Sequence, residues 1–127
     1  MYTVIRFQAQ KRNAKSLQQV AGILKRIDGS LFEGLDHVPN RFSCSVCEGG
    51  TWAKHERAIA RFLRKCNLAL QKAAVSKVSV DFDVAIEPED FSKRAYIETF
   101  LAPRLLQRLA ERRVGLVFTY YRGPSNK

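Results

Sequence analysis

No stretch of this chain approaches the ~18 consecutive apolar residues of a membrane-spanning helix. The first residues, Met1-Tyr2-Thr3-Val4-Ile5-Arg6-Phe7, lack a basic segment followed by an apolar run, so they do not read as a secretory signal. Cysteine is scarce and odd in number, at three, which argues against a disulfide framework. Reduced thiols in a cytoplasmic protein are the expectation. There is no phosphate loop, no G-x-G-x-x-G and no G-x-S-x-G, so no recognisable catalytic signature appears. Of the two histidines, His37 falls in a loop and His55 in a first helical turn, and both are expected at the surface. Internal repeats, low-complexity tracts and linkers are also missing. The chain therefore reads as one domain, residues 1–122, followed by a disordered tail, 123–127.

Acidic residues are the other shortage. Twelve Asp and Glu stand against 22 Lys and Arg, leaving a net charge of +10. Such a balance bears on partners rather than on fold. The remaining composition, 46% hydrophobic and 27% charged over 127 residues, is that of an ordinary globular protein. A chain of this length buries roughly two-thirds of its unfolded surface, so it needs neither disulfide nor metal, and no cofactor is expected.

Residues 2–9 are rich in β-branched and aromatic types and predict a strand. Leu17, Val20, Ala21, Leu24 and Ile27 then recur at helical spacing, with Asn13 placed to cap the helix and Gly29 to end it in a left-handed conformation. Residues 30–41 read as an irregular connection. Phe42 to Cys47 predicts a short strand stopped by Gly49-Gly50. Thr51 is placed to cap a longer helix with an apolar stripe of Trp52, Ile59, Phe62, Leu63, Cys66 and Leu70. Val78, Val80, Phe82, Val84 and Ile86 alternate with Ser79, Asp81, Asp83 and Ala85, the cleanest strand pattern in the chain. Pro103 fits the first turn of a helix over 103–112, burying Leu105, Leu106 and Leu109. The last strand runs from Val114 to Tyr120, with Tyr120 expected in the core.

Strands of a doubly wound parallel sheet are apolar on both faces, whereas Asp81 and Asp83 share one face here. The expected fold is thus α+β, a two-layer sandwich of about four mainly antiparallel strands with three helices on one face, in the order β-α-β-α-β-α-β. That arrangement leaves an open sheet face, tending to acidic, through which two copies could pair.

Cys44-Ser45-Val46-Cys47 is the only textual metal or redox motif. In a strand, positions three apart point to opposite faces, which separates the two thiols. Cys44, Cys47 and His55 are therefore low-ranked candidates for a metal, and none is expected; Cys66, on a buried stripe, reads as a small hydrophobe. Asp81 and Asp83, with Glu87, Glu89 and Asp90 nearby, read more readily as solvated or ion-paired than as catalytic.

Charge patterning is more informative. Lys54, Arg57, Arg61 and Arg64 recur on the second helix, and Arg104, Arg108 and Arg112 on the third, opposite the apolar stripes. These seven residues are the candidate binding face. Its layer would be strongly basic if the two helices lie side by side.

Gly50-Thr51-Trp52, the alternating strand Val78–Ile86, and Phe100-Leu101-Ala102-Pro103-Arg104-Leu105-Leu106-Gln107-Arg108-Leu109-Ala110 running into Val114–Tyr120 resemble a family of small bacterial proteins known as a domain of unknown function. The likeness covers about residues 50–121, and the stretch around Cys44 and Cys47 departs from it. It implies a bacterial, cytoplasmic α+β protein and carries over no catalytic residues. Relatives suspected as toxin-neutralising partners add an association without a mechanism. The leading expectation is a non-enzymatic protein-binding module, immunity-like or adaptor, with a protein partner and no membrane. Salt-sensitive, weakly selective nucleic-acid binding through the basic helical face comes second, and an enzyme with an unrecognised site third.

Overall fold

The computed structural model describes residues 1–32, 40–91 and 98–121. Four strands form one mixed sheet: β1 (Tyr2–Gln8), β2 (Arg41–Glu48), β3 (Ser79–Ile86) and β4 (Val114–Tyr120), in the spatial order β2-β1-β3-β4. β1 is antiparallel to both neighbours, and β4 runs parallel to β3. Four helices accompany them: α1 (Ala14–Ile27), α2 (Trp52–Lys65), α3 (Asn67–Val75) and α4 (Pro103–Glu111). The fold is α+β, with the sequence order β-α-β-α-α-β-α-β.

The strand alternation decides which side carries the helices. Thr3, Ile5 and Phe7 of β1, Phe42 and Cys44 of β2, and Val80, Phe82 and Val84 of β3 are buried on one face. Phe7 stacks on Phe42 with centroids 4.7 Å apart, and Phe62 of α2 meets Phe82 edge-on at 5.8 Å. Leu17, Val20 and Leu24 of α1 and Leu105 and Leu109 of α4 complete the core, as their helical spacing predicts.

Several local expectations give way to tertiary structure. The long second helix is two helices, which makes four rather than three. The break falls at Cys66 (φ −104°, ψ 23°), where α3 turns to pack on α1 and β3. Ala69, Leu70 and Ala73 then bury a separate stripe. Asn13 and Thr51 occupy helix starts, but neither side chain makes a capping hydrogen bond. Gly29 is not left-handed; extended Asp28 ends α1 and its carboxylate accepts the Ser30 amide and hydroxyl. Those hydrogen bonds, with the Lys65 ion pair at 2.9 Å, lower the Asp28 pKa to about 2. Gly49 and Gly50 do take positive φ, 68° and 83°, and turn the chain from β2 into α2. Most of the 30–41 connection, including His37, and the tail at 123–127 lie outside the described residues.

His55 contradicts the expectation of a surface histidine: it is fully buried, with 0% exposure. It lies three residues after Trp52 and four before Ile59, squarely on the apolar stripe of α2. Its Nε2 lies 2.8 Å from the Gly49 carbonyl, which can only accept, so Nε2 carries the proton. Nδ1 is then the acceptor for the Thr3 hydroxyl at 2.7 Å. The chain Thr3–His55–Gly49 satisfies a buried polar set and ties β1 to the turn before α2. Burial holds the imidazole pKa below its ordinary 6.5, and the Gly49 hydrogen bond opposes this.

A depressed histidine pKa means that the unfolded chain binds the proton more readily. Stability from this source is therefore complete above pH 6.5 and declines as pH falls below it, by at most about 1.4 kcal/mol per pH unit. Urea unfolding between pH 7.5 and 5 should show this decline, and His55→Ala should remove it. The same variant should lose about 2–4 kcal/mol through the cavity and the orphaned Thr3 hydroxyl.

Candidate functional site

The helical layer brings the two arginine stripes together. α2 packs against α4, and Trp52 at the start of α2 donates from Nε1 to the Phe100 carbonyl at 2.9 Å. The Trp52 ring also meets Phe118 of β4 at 5.6 Å. The Gly-x-Trp element thus fastens α2 to the segment leading into α4. At the other end, Arg112 donates from Nε to Asn67 Oδ1 at 3.1 Å, across the α2–α3 junction. This bond ties the end of α4 to the start of α3.

The seven candidate residues then separate by what they touch. Arg57, Arg61 and Arg64 of α2 and Arg104 of α4 are exposed, with Arg108 half-buried beside them. None of the five has an acidic partner within ion-pair distance among the described residues. Lys54 is occupied, donating to the Glu48 carbonyl at 2.8 Å. Arg112 is occupied too: besides Asn67 it reaches the Arg108 carbonyl and, at 3.9 Å, Glu111. Five of the seven form the free surface, and two are structural braces.

The metal candidates are apart in function although not in the way strand geometry suggests. A register shift between Thr3 and Val4 puts Cys47 opposite Thr3 and Cys44 opposite Ile5, so the bulge brings both cysteines to the same face of β2. The simple rule that positions three apart diverge fails at that bulge. Both nitrogens of His55 are already engaged by Thr3 and Gly49, which leaves neither for a metal. Among the described residues no group of three His, Cys, Asp or Glu could hold an ion. Burial pushes the Cys44 thiol up to about 12 and the Cys66 thiol to about 11.

The opposite sheet face is less acidic than the alternation implies. Arg6 lies across from Asp81 and bridges both carboxylates, 3.5 Å from Asp81 and 3.1 Å from Asp83. Thr119 of β4 donates to the second oxygen of Asp83 at 2.7 Å, and Asp83 is only 8% exposed. Burial raises the Asp81 pKa, and Arg6 opposes that rise. The pair is a cross-strand cluster partly offset by one cation, with Arg6 where a metal ion would sit. Beside it, Tyr2 of β1 and Tyr121, just past β4, stack at 6.4 Å. Tyr120 is not core but 64% exposed, at the last position of an edge strand.

One basic cluster escapes the periodicity argument altogether. β1 ends, and β2, β3 and β4 begin, at the same end of the sheet. The turns there carry Lys11, Arg12, Lys77 and Arg113. These residues lie between elements, so no helical or strand spacing unites them. Their only sequence signal is a cation beside each of several predicted boundaries.

No family model, curated protein or solved structure matches the chain. The resemblance over residues 50–121 accordingly rests on its motifs alone. Among the described residues no helix is long and apolar enough to cross a membrane.

The thiol assignments have a direct check. In the folded protein Cys47, the half-buried one, should react with an aromatic disulfide reagent at pH 8, while Cys44 and Cys66 stay protected. The count should rise from about one thiol to three in denaturant, and to two in a denatured Cys47→Ser variant.

Proposed function

We propose that this protein is a non-enzymatic protein-binding module, immunity-like or adaptor in kind, whose α2–α4 face takes up an acidic protein surface. The observation that carries this reading is the group of Arg57, Arg61, Arg64, Arg104 and Arg108 on one side of the helical layer, with no carboxylate partner among the described residues. Holding like charges together opposes folding slightly, and an acidic partner would relieve that repulsion. Phe100, in the segment leading into α4, is 69% exposed and could add apolar contact to such an interface. Arginine and aromatic side chains are the residues that dominate protein interfaces.

A second reading is nucleic-acid binding through the same face. The four-residue spacing of Arg104 and Arg108 along α4 supports it, since such a row meets phosphates without reading bases. Affinity of that kind falls steeply with salt and shows little sequence preference.

Arg61→Glu with Arg104→Glu reverses two exposed charges while leaving every described hydrogen bond in place. Capture from nuclease-treated lysate, followed by titration with the purified partner, should give one stoichiometric acidic protein. The double variant should bind it at least about a hundredfold more weakly, a loss of about 3 kcal/mol, with Tm unchanged. Retention of only nuclease-sensitive material would favour the second reading, and equal binding by the variant would remove this face from both.

A further inference from the structure

At the end of the sheet where β2, β3 and β4 begin, an open cleft of about 630 Å³ lies between the β1–α1 connection and the turn that starts β3. Lys11, Arg12 and Lys77 line it, together with the amides of Gln8, Asn13 and Asn40. No Asp or Glu is among the described residues that form its wall. Among the described residues Ala9 is the one apolar member of the wall and none is aromatic, so that wall offers little to a hydrocarbon or a nucleobase. Three cations and several amide donors around one open space suit a ligand with many acceptor oxygens and several negative charges.

The backbone adds an independent observation. Lys77 takes φ 58° immediately after α3, and the amide of Val78 closes back on the Ala73 carbonyl at 3.2 Å. That position of a helix end is normally filled by glycine, because a β-carbon is disfavoured there. Arg113 takes the same left-handed conformation after α4, at φ 55°. Two helices therefore end on a long basic side chain where a bare backbone would be easier. Favourable interaction with the helix dipole accounts for part of this, and it acts only at the last turn. Lys77 also lines the neighbouring groove that holds Arg112 and Arg113, so its charge serves both concave surfaces at this end.

We propose that the Lys11–Arg12–Lys77 cleft binds the polyphosphate group of a small phosphorylated ligand. Its three positive charges offset most of the charge of a short polyphosphate, and Arg12 can present the paired N–H donors that phosphate oxygens favour. The site is separate from the α2–α4 face and does not depend on the protein-binding reading.

Calorimetric titration of the full chain with sodium tripolyphosphate at low salt tests this, with inorganic phosphate and a short single-stranded oligothymidylate as comparison ligands. The expected result is one saturable site, with tripolyphosphate at least about tenfold tighter than inorganic phosphate. Arg12→Gln and Lys77→Gly should each weaken binding about tenfold or more, while Arg26→Gln, at the far end of α1, leaves it unchanged. Lys77→Gly should also keep or raise the Tm, since glycine relieves the left-handed backbone, so its loss of binding is not a loss of fold. Arg12→Gln, on an exposed turn, gives the same reading should the glycine variant fold poorly. Absence of saturation at millimolar tripolyphosphate, or equal binding by both cleft variants, would overturn the proposal. Tighter binding of the oligothymidylate through the same residues would overturn it as well, in favour of a nucleic-acid track.

Discussion

The position of α2 on the sheet depends on a buried histidine held at both of its nitrogens. Thr3 donates to one and the Gly49 carbonyl receives from the other, so His55 can neither turn outward nor slide along the helix axis. An α-helix advances 100° per residue, and fixing one side chain inward sets the direction of all the rest. With His55 inside, Ile59, Phe62 and Leu63 follow it into the core, and Arg57, Arg61 and Arg64 must point away. The buried polar contact and the exposed basic surface are thus one constraint seen from two sides. Apolar packing alone would tolerate small rotations of α2; a hydrogen-bonded imidazole does not.

The same logic orders the second arginine row. Arg112 reaches to Asn67 and ties the end of α4 to the start of α3, so a residue from the candidate set acts as a strut for the helix that carries the others. Lys54, bonded to Glu48, does comparable work at the start of α2. A stripe of like charges can in this way contain both free and committed members. Only partner geometry separates the two groups.

Much of this architecture was legible because it is periodic. The alternation of Val78–Ile86 announced a sheet with one apolar face, Pro103 marked a helix start, and the Gly49-Gly50 pair marked a turn. Features that depend on non-local partners were hidden. His55 stands at helical spacing between Trp52 and Ile59, which signals burial, but its polar partner Thr3, fifty-two residues earlier, left no local trace, and so it looked like a surface residue. Asp81 and Asp83 looked like an acidic face because Arg6, their counter-ion, belongs to a strand far away in sequence. The break at Cys66 was invisible because both helices bury apolar residues at compatible spacing, and only the need for α3 to meet α1 separates them. The bulge beside Thr3 likewise reversed a face assignment that simple alternation had made for Cys47. The turn cations Lys11, Arg12, Lys77 and Arg113 had no period to reveal them, and their convergence follows from topology.

The sheet order has a consequence for how the molecule assembles. β1 is the first strand of the chain and an inner strand of the sheet, and its β3 partners lie 71 to 83 residues further along. Pairing at such separation carries a large loop-closure entropy and is slow to form. Until β3 arrives, one edge of β1 has backbone donors and acceptors open to any other extended segment. β1, made well before β3, is thus among the last of these elements to be fully enclosed, and Arg6, at its centre, supplies a charge on that waiting strand before Asp81 and Asp83 exist to neutralise it.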